Sequence, residues 1–376
     1  MKVVADHKIP FLKGVLEPFS NVIYLPGNEI TREHLKDADG LLTRTITQCN
    51  EKLLAGTNVK FIASATIGFD HIDTAWCEKN GILWTNAPGC NAGSVYQYIA
   101  SVLVNLSKKH GFNFSDRSLG VIGIGNVGRK IVKLGEWLGM RVLLNDPPRA
   151  RREGPCGYVS LEGIIRECDI ITCHVPLNIE GEDKTFHLIN EDILRKLHPD
   201  TILINSSRGE VIDNKALKTI IKEKRIAAAV LDVWENEPNI DKELVEMLDI
   251  GTPHIAGYSA DGKANGTSMV IQSLSKFFNL PLTRWFAEDV PLPDKTELTI
   301  DCKEKTPQEV LAQAILFTYN VMDDDRRLRS SVDTFEQQRG NYPLRREFHA
   351  YDITLVNSHS NIQKILTGLG FKVNLL

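Results

Sequence analysis

Two series of short apolar runs, each alternating with amphipathic segments, constrain the fold of this chain more than any other feature. The first series has runs at residues 2–5, 22–24, 40–42, 61–65 and 82–85. The second series has runs at residues 119–124, 141–145, 170–174, 201–205 and 227–231. Strands separated by stretches long enough for a helical crossover are typical of parallel α/β sheets. The sequence therefore predicts an α/β protein with two doubly wound, parallel-sheet domains.

The segments between these runs predict helices. They lie at residues 91–109, 129–138, 161–167 and 214–223. A polar break at residues 115–118 separates the two series, and a further helix is predicted at 265–278, after the last run. We expect this last helix to return and pack on the first domain.

The composition changes after Trp285. Pro291 and Pro293 mark a linker, and Thr306-Pro307-Gln308-Glu309 has the pattern of a helix start with a capping box, so a helix is predicted from there towards Val321. A strand is predicted at 351–356 and a short helix at 361–369. These elements predict a small C-terminal α+β module.

Composition and charge exclude several classes of protein. Hydrophobic residues make up 42% of the 376 residues and charged residues 24%, which is typical of a globular protein with two or three domains. A net charge of -4 provides no general attraction for nucleic acid, so we expect no nucleic-acid partner. No apolar stretch reaches the roughly 18 residues that span a bilayer, so we expect no membrane association.

The cysteines indicate a reducing compartment. There are seven, an odd number, and no two of them form a C-x-x-C pair. The first residues also lack the long apolar stretch of a secretory signal. We therefore expect a cytoplasmic protein.

A glycine fingerprint follows the first run of the second series. Gly123, Gly125 and Gly128 have the spacing G-x-G-x-x-G between a predicted strand and a predicted helix. In this context the glycines permit a tight turn, a close approach to a pyrophosphate and close helix packing, while the helix start offers N–H donors. The pattern predicts a dinucleotide site, although an ordinary glycine-rich turn would have the same spacing.

Asp146 sharpens the choice of nucleotide. It lies eighteen residues past Gly128, at the end of the next run, where a carboxylate can accept both ribose hydroxyls and repel a 2′-phosphate. We therefore expect NAD. Two alternatives stay open, because Asp146 could merely cap a turn and the nearby arginines could accommodate NADP; these are Arg149, Arg151 and Arg152.

Three further residues could carry the chemistry of a hydroxy-acid dehydrogenase. Arg208 lies just beyond a predicted strand, where it could grip a carboxylate with two hydrogen bonds. His254 could act as acid and base, because a histidine ordinarily titrates near neutral pH, and Glu237 could orient it. Taken singly, each has an ordinary alternative: a solvated arginine, a structural histidine, and a Glu-Pro helix entry.

The surrounding sequence resembles the signature blocks of the D-isomer-specific 2-hydroxyacid dehydrogenases. Six blocks match in order. They are residues 65–73, 86–91, 123–128, 205–213, 231–238 and 252–257. The resemblance implies that Arg208 binds the substrate carboxylate, that His254 is the acid/base, and that Glu237 is its partner.

The family resemblance also implies a domain plan and further contacts. It assigns residues 1–95 and 257–285 to a flavodoxin-like substrate-binding domain, 96–256 to a Rossmann NAD-binding domain, and 286–376 to a C-terminal α+β dimerisation domain, with the active site in the cleft between the first two. Cofactor contacts are implied for a larger set: Gly123, Gly125, Asn126, Val127, Gly128, Asp146, Val175, Ser206, Ser207, Asp232 and Gly257. No metal site is predicted.

Within the family, the likeness extends to members that act on a phosphorylated four-carbon acid. It rests on residues 145–150, 249–258 and 341–347. It implies NAD-dependent oxidation of 4-phospho-D-erythronate at C2, in the biosynthesis of pyridoxal phosphate, by a homodimer.

A phosphate at the far end of such a substrate requires a second anion site. Arg44 is a candidate, with Thr45, Thr66 and Tyr258 as hydroxyl donors, although the family often has Ser where this chain has Thr45. Arg345 and Arg346 could reach the same site or form salt bridges in a dimer interface, and we expect the interface for at least one of them.

Two alternatives remain. The blocks are shared by family members that oxidise other 2-hydroxy acids, including a three-carbon phosphorylated one. The family also includes non-catalytic NAD-sensing corepressors, a class that the acidic composition and the lack of a basic tail do not favour.

Overall fold

The computed structural model describes residues 1–358 and 360–376. The strands are β1 Lys2–Asp6, β2 Asn21–Leu25, β3 Gly40–Thr43, β4 Phe61–Ser64, β5 Leu83–Thr85, β6 Ser118–Ile122, β7 Arg141–Asn145, β8 Ile170–Cys173, β9 Ile202–Asn205, β10 Ala228–Leu231, β11 Ile250–Gly251, β12 Glu297–Asp301, β13 Asp352–Val356 and β14 Lys372–Leu375. The α-helices are α1 Arg32–Leu35, α2 Glu51–Leu54, α3 Thr74–Lys79, α4 Ala92–His110, α5 Asn126–Trp137, α6 Pro147–Glu153, α7 Leu161–Glu167, α8 Glu191–Leu194, α9 Asn214–Lys222, α10 Lys242–Met247, α11 Ala260–Phe278, α12 Pro307–Thr318, α13 Val321–Ser330, α14 Phe335–Gly340 and α15 Ser360–Leu369.

The chain divides into two compact units. The first comprises Met1–Asn91 with Ser259–Pro291, and the second comprises Ala92–Tyr258 with Leu292–Leu376. The C-terminal module thus belongs to the same unit as the second series of strands. The assignment of residues 286–376 to a separate third domain stays a prediction.

The first unit contains a parallel sheet in the order β2-β1-β3-β4-β5. This is the flavodoxin-like order, and all five strands were predicted from their apolar runs. Helix α11 packs on this sheet: Val270, Ile271 and Leu274 lie in one buried cluster with Val3 and Leu42. The chain therefore returns to the first unit, as the position of α11 after the second series led us to expect.

The second unit contains a parallel sheet in the order β11-β10-β9-β8-β6-β7. Beyond β7, Tyr158 forms an isolated parallel bridge with Leu144, which extends the sheet by one pairing at that edge. Counted with this bridge, the order is that of a Rossmann sheet, and the switch point lies between β6 and β8. Sequence patterns missed β11, because it is only two residues long.

The C-terminal module contributes a third sheet, β12-β13-β14, whose strands are all parallel. Helix α12 begins with the predicted capping box of Thr306 and Glu309. The helix runs towards Val321, as predicted, but ends at Thr318: Tyr319 is extended, with φ -160°, and the Asn320 side chain caps a new helix, α13, by accepting from the Met322 N–H.

The module shares its core with the rest of the second unit. Leu134 of α5, Ile353 of β13 and Leu366 of α15 belong to one buried apolar cluster. Helix α4 is buried along most of its length and packs against both α5 and α12. Because one continuous core spans both parts, the module and the Rossmann sheet should unfold together.

Within the described part of the chain, no helix is long and apolar enough to cross a bilayer.

His174, directly after β8, makes the second unit sensitive to acid. Desolvation lowers its pKa to about 3, whereas the unfolded chain should titrate near pH ~6.5. The folded ring stays neutral, so the stability that is present above pH ~6.5 is lost as the pH falls towards the folded pKa. We expect this group alone to lower the free energy of unfolding by about 2 kcal/mol at pH 5.

The measurement compares the free energy of unfolding at pH 7 and pH 5 in the wild type and in His174→Gln, which can still bond to the Thr172 hydroxyl. The variant should lose about 2 kcal/mol less on acidification. An exposed control, His198→Gln, should behave as the wild type does. Equal acid sensitivity in His174→Gln and the wild type would contradict the assignment.

Candidate active site

The glycine loop lies between β6 and α5, and at two of its glycines a Cβ atom would clash with the backbone. Gly123 has φ +89°, and a Cβ there would lie 2.5 Å from the His174 carbonyl oxygen. A Cβ on Gly128 would lie 1.9 Å from the carbonyl oxygen of Gly123. The first and third glycines therefore permit the turn and the close approach of helix to loop that a dinucleotide fingerprint requires.

The second glycine leaves the start of α5 open. Gly125 is exposed and is the N-cap of this helix. No atom of residues 1–358 or 360–376 lies within 4 Å of the position that a Cβ on Gly125 would take. The first turn, which includes Asn126 and Val127, therefore has backbone N–H groups available for an anion.

Asp146 touches the glycine loop. One carboxylate oxygen accepts from the Ile124 N–H at 2.8 Å, and the other accepts from the Arg149 N–H at 3.0 Å, which caps α6. Asp146 thus caps a helix, as the alternative interpretation held, and also lies beside the fingerprint. Each oxygen keeps a lone pair for a ribose hydroxyl.

The three nearby arginines are all engaged with carboxylates. Arg149 pairs with Glu153 at 2.9 Å, and Arg152 pairs with the same carboxylate at 2.7 Å. Arg151 lies 3.2 Å from Glu182 and also pairs with Asp183. A site for the 2′-phosphate of NADP would need cations that are not already paired with carboxylates. These pairs therefore do not favour NADP.

The remaining predicted cofactor residues follow the next strands of the sheet. Val175 comes after β8 and is half-buried. After β9, the Ser207 hydroxyl and N–H both donate to the Asn205 side chain, at 2.8 and 3.0 Å. The Ser206 hydroxyl is buried and has no hydrogen-bond partner among the described residues. Because an unsatisfied buried hydroxyl is costly, this atom indicates that a ligand completes the site.

Arg208 follows at the same edge of the sheet. One Nη donates to the Ser207 carbonyl at 2.8 Å, and the Asn205 side chain holds the carbonyl of Arg208 at 2.8 Å. The guanidinium has no acidic partner in residues 1–358 and 360–376. A Cβ on the next residue, Gly209, would lie 2.0 Å from the Trp234 backbone, which explains why a glycine follows the arginine.

Glu237 and His254 form a hydrogen-bonded pair. His254 Nδ1 lies 2.7 Å from Glu237 Oε2, while Glu237 Oε1 accepts from the Trp234 N–H at 2.9 Å. A carboxylate acceptor requires the proton on Nδ1, which leaves Nε2 to accept one. Nε2 has no hydrogen-bond partner in the part of the chain that the structure describes. The pair therefore has the geometry of an acid/base group with its orienting partner.

Asp232 holds the loop that carries His254. Its buried carboxylate accepts from the Thr252 hydroxyl at 2.6 Å and from the N–H groups of Ile255 and Ala256, both at 2.8 Å. Burial raises the pKa of Asp232. The Asp232 carbonyl also accepts from the His254 N–H at 2.7 Å, so the histidine keeps its left-handed backbone, φ +55°.

Arg345 binds the same loop through its carbonyl groups, whereas Asp232 binds it through N–H groups. Its guanidinium donates to the Ala256 carbonyl at 2.6 Å and to the Ile255 carbonyl at 3.4 Å, and it lies 4.5 Å from the ring centre of Tyr319. These residues, and Gly257 after them, lie directly beyond His254. No local sequence pattern indicates this contact.

Arg345 and Arg346 are only 4% and 7% exposed within a single chain, which does not favour a salt bridge across a dimer interface. Our expectation that at least one of them lies in such an interface stays a prediction. Burial of a guanidinium requires several acceptors, and Arg345 finds them in backbone carbonyls.

The predicted substrate residues fall in both units. In the first unit, Arg44 and Thr45 follow β3 and Thr66 follows β4; the two strands end side by side, with Thr43 paired to Ser64. The Arg44 guanidinium donates only to the Lys8 carbonyl, at 3.4 Å, within the described residues. Tyr258 belongs to the second unit, where its ring meets that of Tyr342 edge-on at 5.7 Å.

Among the described residues, His187, Asp213 and Glu235 form a group with metal-type donors. His187 Nε2 lies 2.6 Å from Glu235 and Nδ1 lies 3.7 Å from Asp213, so each ring nitrogen faces its own carboxylate. Direct pairing of the histidine with the two carboxylates accounts for the group, and it links residues 187 and 235.

Two family models match the chain. The NAD-binding domain of the D-isomer-specific 2-hydroxyacid dehydrogenases matches residues 96–256, and a domain of unknown function matches residues 291–370.

Curated relatives match over nearly the whole chain. Erythronate-4-phosphate dehydrogenase of Bacteroides thetaiotaomicron is 49% identical, over 94% of this chain and 99% of its own length. The enzymes of that name from Porphyromonas gingivalis and Shigella flexneri are 41% and 40% identical over 99% of this chain, and over 100% and 98% of their own lengths.

Solved structures share the fold over about three quarters of this chain. D-lactate dehydrogenase from Aquifex aeolicus, complexed with NAD and lactic acid, is 25% identical, with a TM-score of 0.59 over 74% of this chain and 96% of that one. D-2-hydroxyisocaproate dehydrogenase has a TM-score of 0.62 over 74% of this chain and 97% of its own, at 24% identity.

The matches extend through the glycine loop, the Arg208 segment and the Glu237–His254 pair, and full-length relatives include the C-terminal module. The chain therefore belongs to the D-isomer-specific 2-hydroxyacid dehydrogenases, a family of NAD-dependent oxidoreductases, and within it to the erythronate-4-phosphate dehydrogenases.

Proposed function

We propose that this chain oxidises 4-phospho-D-erythronate at C2 to the 2-oxo acid, with NAD as the hydride acceptor, in pyridoxal phosphate biosynthesis. The 2.7 Å pair of Glu237 and His254 is the observation that carries the chemistry. The names of relatives that match 94–99% of the chain support the choice of acid.

The residues of the second unit fit NAD. The open start of α5 offers N–H groups to a pyrophosphate, and Asp146 offers lone pairs to a ribose. In the part of the chain that the structure describes, the Ser206 hydroxyl lacks a partner. When bound, the cofactor supplies the hydride-accepting carbon. We assign contacts with it to Val175, Ser207, Asp232 and Gly257 as well, by family resemblance.

His254 acts as the base in this proposal. The C2 hydroxyl donates its proton to Nε2 while the C2 hydrogen leaves as hydride, and the C2–O bond becomes a carbonyl. The Glu237 carboxylate then stabilises the imidazolium through Nδ1–H. Because Trp234 fixes the other oxygen of Glu237, the pair is oriented before substrate arrives.

Arg208 binds the substrate carboxylate. Its guanidinium is anchored by one bond to the Ser207 carbonyl and retains donors for a bidentate contact. We assign contacts with the rest of the substrate to Arg44, Thr45, Thr66 and Tyr258. Support for these comes from their positions after β3, β4 and the His254 loop.

We also propose a cytoplasmic homodimer assembled through the C-terminal module. All seven cysteines are free thiols, which suits a reducing compartment. Recovery of the chain from an oxidising compartment on cell fractionation would contradict this location.

The substrate assignment is tested by NADH formation with purified enzyme. We expect 4-phospho-D-erythronate to give the highest kcat/KM, above D-erythronate and 3-phospho-D-glycerate. A preference for the three-carbon acid would favour the alternative dehydrogenase, and the absence of turnover with intact NAD binding would favour a non-catalytic sensor.

The acid/base pair is tested by His254→Ala and Glu237→Gln. Loss of the base should lower kcat by about 10²- to 10⁴-fold, with a smaller loss in Glu237→Gln, because the imidazolium loses its charged partner. NAD affinity, followed by fluorescence, should stay close to that of the wild type. His198→Ala, which changes an exposed histidine, is the control, and near wild-type turnover in His254→Ala would refute the role.

The dimer is tested by light scattering after gel filtration. The chain has a mass of 42.1 kDa, so the homodimer should have twice that mass. A monomeric mass at micromolar concentration would contradict the proposal.

A further inference from the structure

Helix α14 of the C-terminal module places Arg339 beside a predicted substrate residue. The Arg339 Cζ lies 5.8 Å from the ring centre of Tyr258 and 5.9 Å from that of Phe335. Tyr258 follows His254 by four residues, on the loop that Asp232 and Arg345 hold. The guanidinium therefore lies close to the segment that carries the proposed base.

The hydrogen bonding of Arg339 is incomplete. One Nη donates to Glu336 at 2.6 Å, but the Nε–H is buried and has no partner in the part of the chain that the structure describes. The Glu336 side chain is 60% exposed and that of Arg339 only 22%. A hydrogen bond from a buried cationic donor is costly to leave unmade. The site therefore lacks an acceptor, and an anion is the acceptor that suits a cationic donor.

The surroundings keep this guanidinium charged. Burial by itself lowers the pKa of Arg339, but Tyr258, Glu336 and Glu237 raise it overall. The contribution of Glu237 indicates that Arg339 lies within the electrostatic range of the acid/base pair, although it belongs to a module outside the family's signature blocks.

We propose that Arg339 binds the phosphate group of the substrate, so that the C-terminal module is part of the substrate site. The inference rests on the proposed function, in which Arg208 takes the carboxylate and Arg44 is assigned to the rest of the substrate; Arg339 adds a second cation for the phosphate dianion. A planar guanidinium with free donors suits a phosphate better than a point charge does.

The comparisons agree with a role for the module in recognising phosphate. The D-lactate dehydrogenase complexed with lactic acid is covered over 96% of its length yet matches only 74% of this chain. The relatives named for erythronate 4-phosphate match 94–99% of it. The extra quarter of the chain thus accompanies the phosphorylated substrate, and a domain of unknown function accounts for most of it.

The experiment compares two substrates, 4-phospho-D-erythronate and D-erythronate, in Arg339→Gln, Arg339→Lys and the wild type. In Arg339→Gln, kcat/KM for the phosphorylated acid should fall by about 10- to 100-fold, the size expected for charge-assisted hydrogen bonds. For D-erythronate it should change by less than about 2-fold, because that acid lacks the group that Arg339 binds. Arg339→Lys should lie between, since it keeps the charge and loses the fork.

Two controls separate binding from structure. Arg326→Gln removes an exposed cation from the same module and should leave both substrates unaffected. Inorganic phosphate, titrated by calorimetry into the NAD-loaded enzyme, should bind more weakly to both Arg339 variants than to the wild type, while NAD affinity stays constant. If Arg339→Gln fails to fold, Arg339→Lys and the phosphate titration decide.

The failures are distinguishable. A wild type without preference for the phosphorylated acid would contradict the proposed function, and with it this assignment. A wild type that does prefer it, with the same preference in folded Arg339 variants or an equal loss for both acids, would overturn the role of Arg339 alone.

Discussion

The buried carboxylate of Asp232 is the interaction on which the rest of the site depends. It accepts three hydrogen bonds from the segment around His254, and the backbone carbonyl of Asp232 accepts a fourth from the His254 N–H. A histidine with positive φ costs energy that the surroundings must supply, and these bonds supply it. Removal of one partner of a buried charged group leaves the remaining partners without their hydrogen bonds. Loss of the Asp232 carboxylate should therefore disorder the loop that it holds.

The C-terminal module completes this arrangement. Asp232 accepts from the N–H groups of Ile255 and Ala256, and Arg345 donates to the carbonyls of the same two residues, so the peptide that joins them is held from both sides. Arg345 in turn touches the Tyr342 hydroxyl, which donates to buried Asp324. Such a network fixes the direction of each carbonyl, whereas apolar packing would fix only its distance. A module that shares its core with the Rossmann sheet can therefore position the proposed base as well.

Sequence patterns predicted the parts of this protein that depend on local spacing. Apolar runs located the ten strands of the two predicted series, and glycines 123 and 128 are required by the steric contacts that the fingerprint implies. The Glu237–His254 contact was anticipated through family blocks. The bonds of Arg345 could not be predicted, because its acceptors lie 89 and 90 residues away and no periodicity relates them. The break at Tyr319 was missed because a capping Asn320 also fits a helix interior by composition.

Arg339 and Arg345 show how one short segment could serve two purposes. They lie six residues apart, at the end of α14 and in the loop after it, and each has a buried Nε–H without a partner among the described residues. They differ at the Nη groups. Both Nη groups of Arg345 donate to buried backbone carbonyls, whereas Arg339 donates through one Nη to the exposed carboxylate of Glu336 and lies beside Tyr258. A guanidinium whose Nη groups are engaged with the backbone holds structure. One that is paired only with an exposed carboxylate retains donors for a ligand. The bonding of the Nη groups, rather than the residue type, is what assigns the two arginines to different roles.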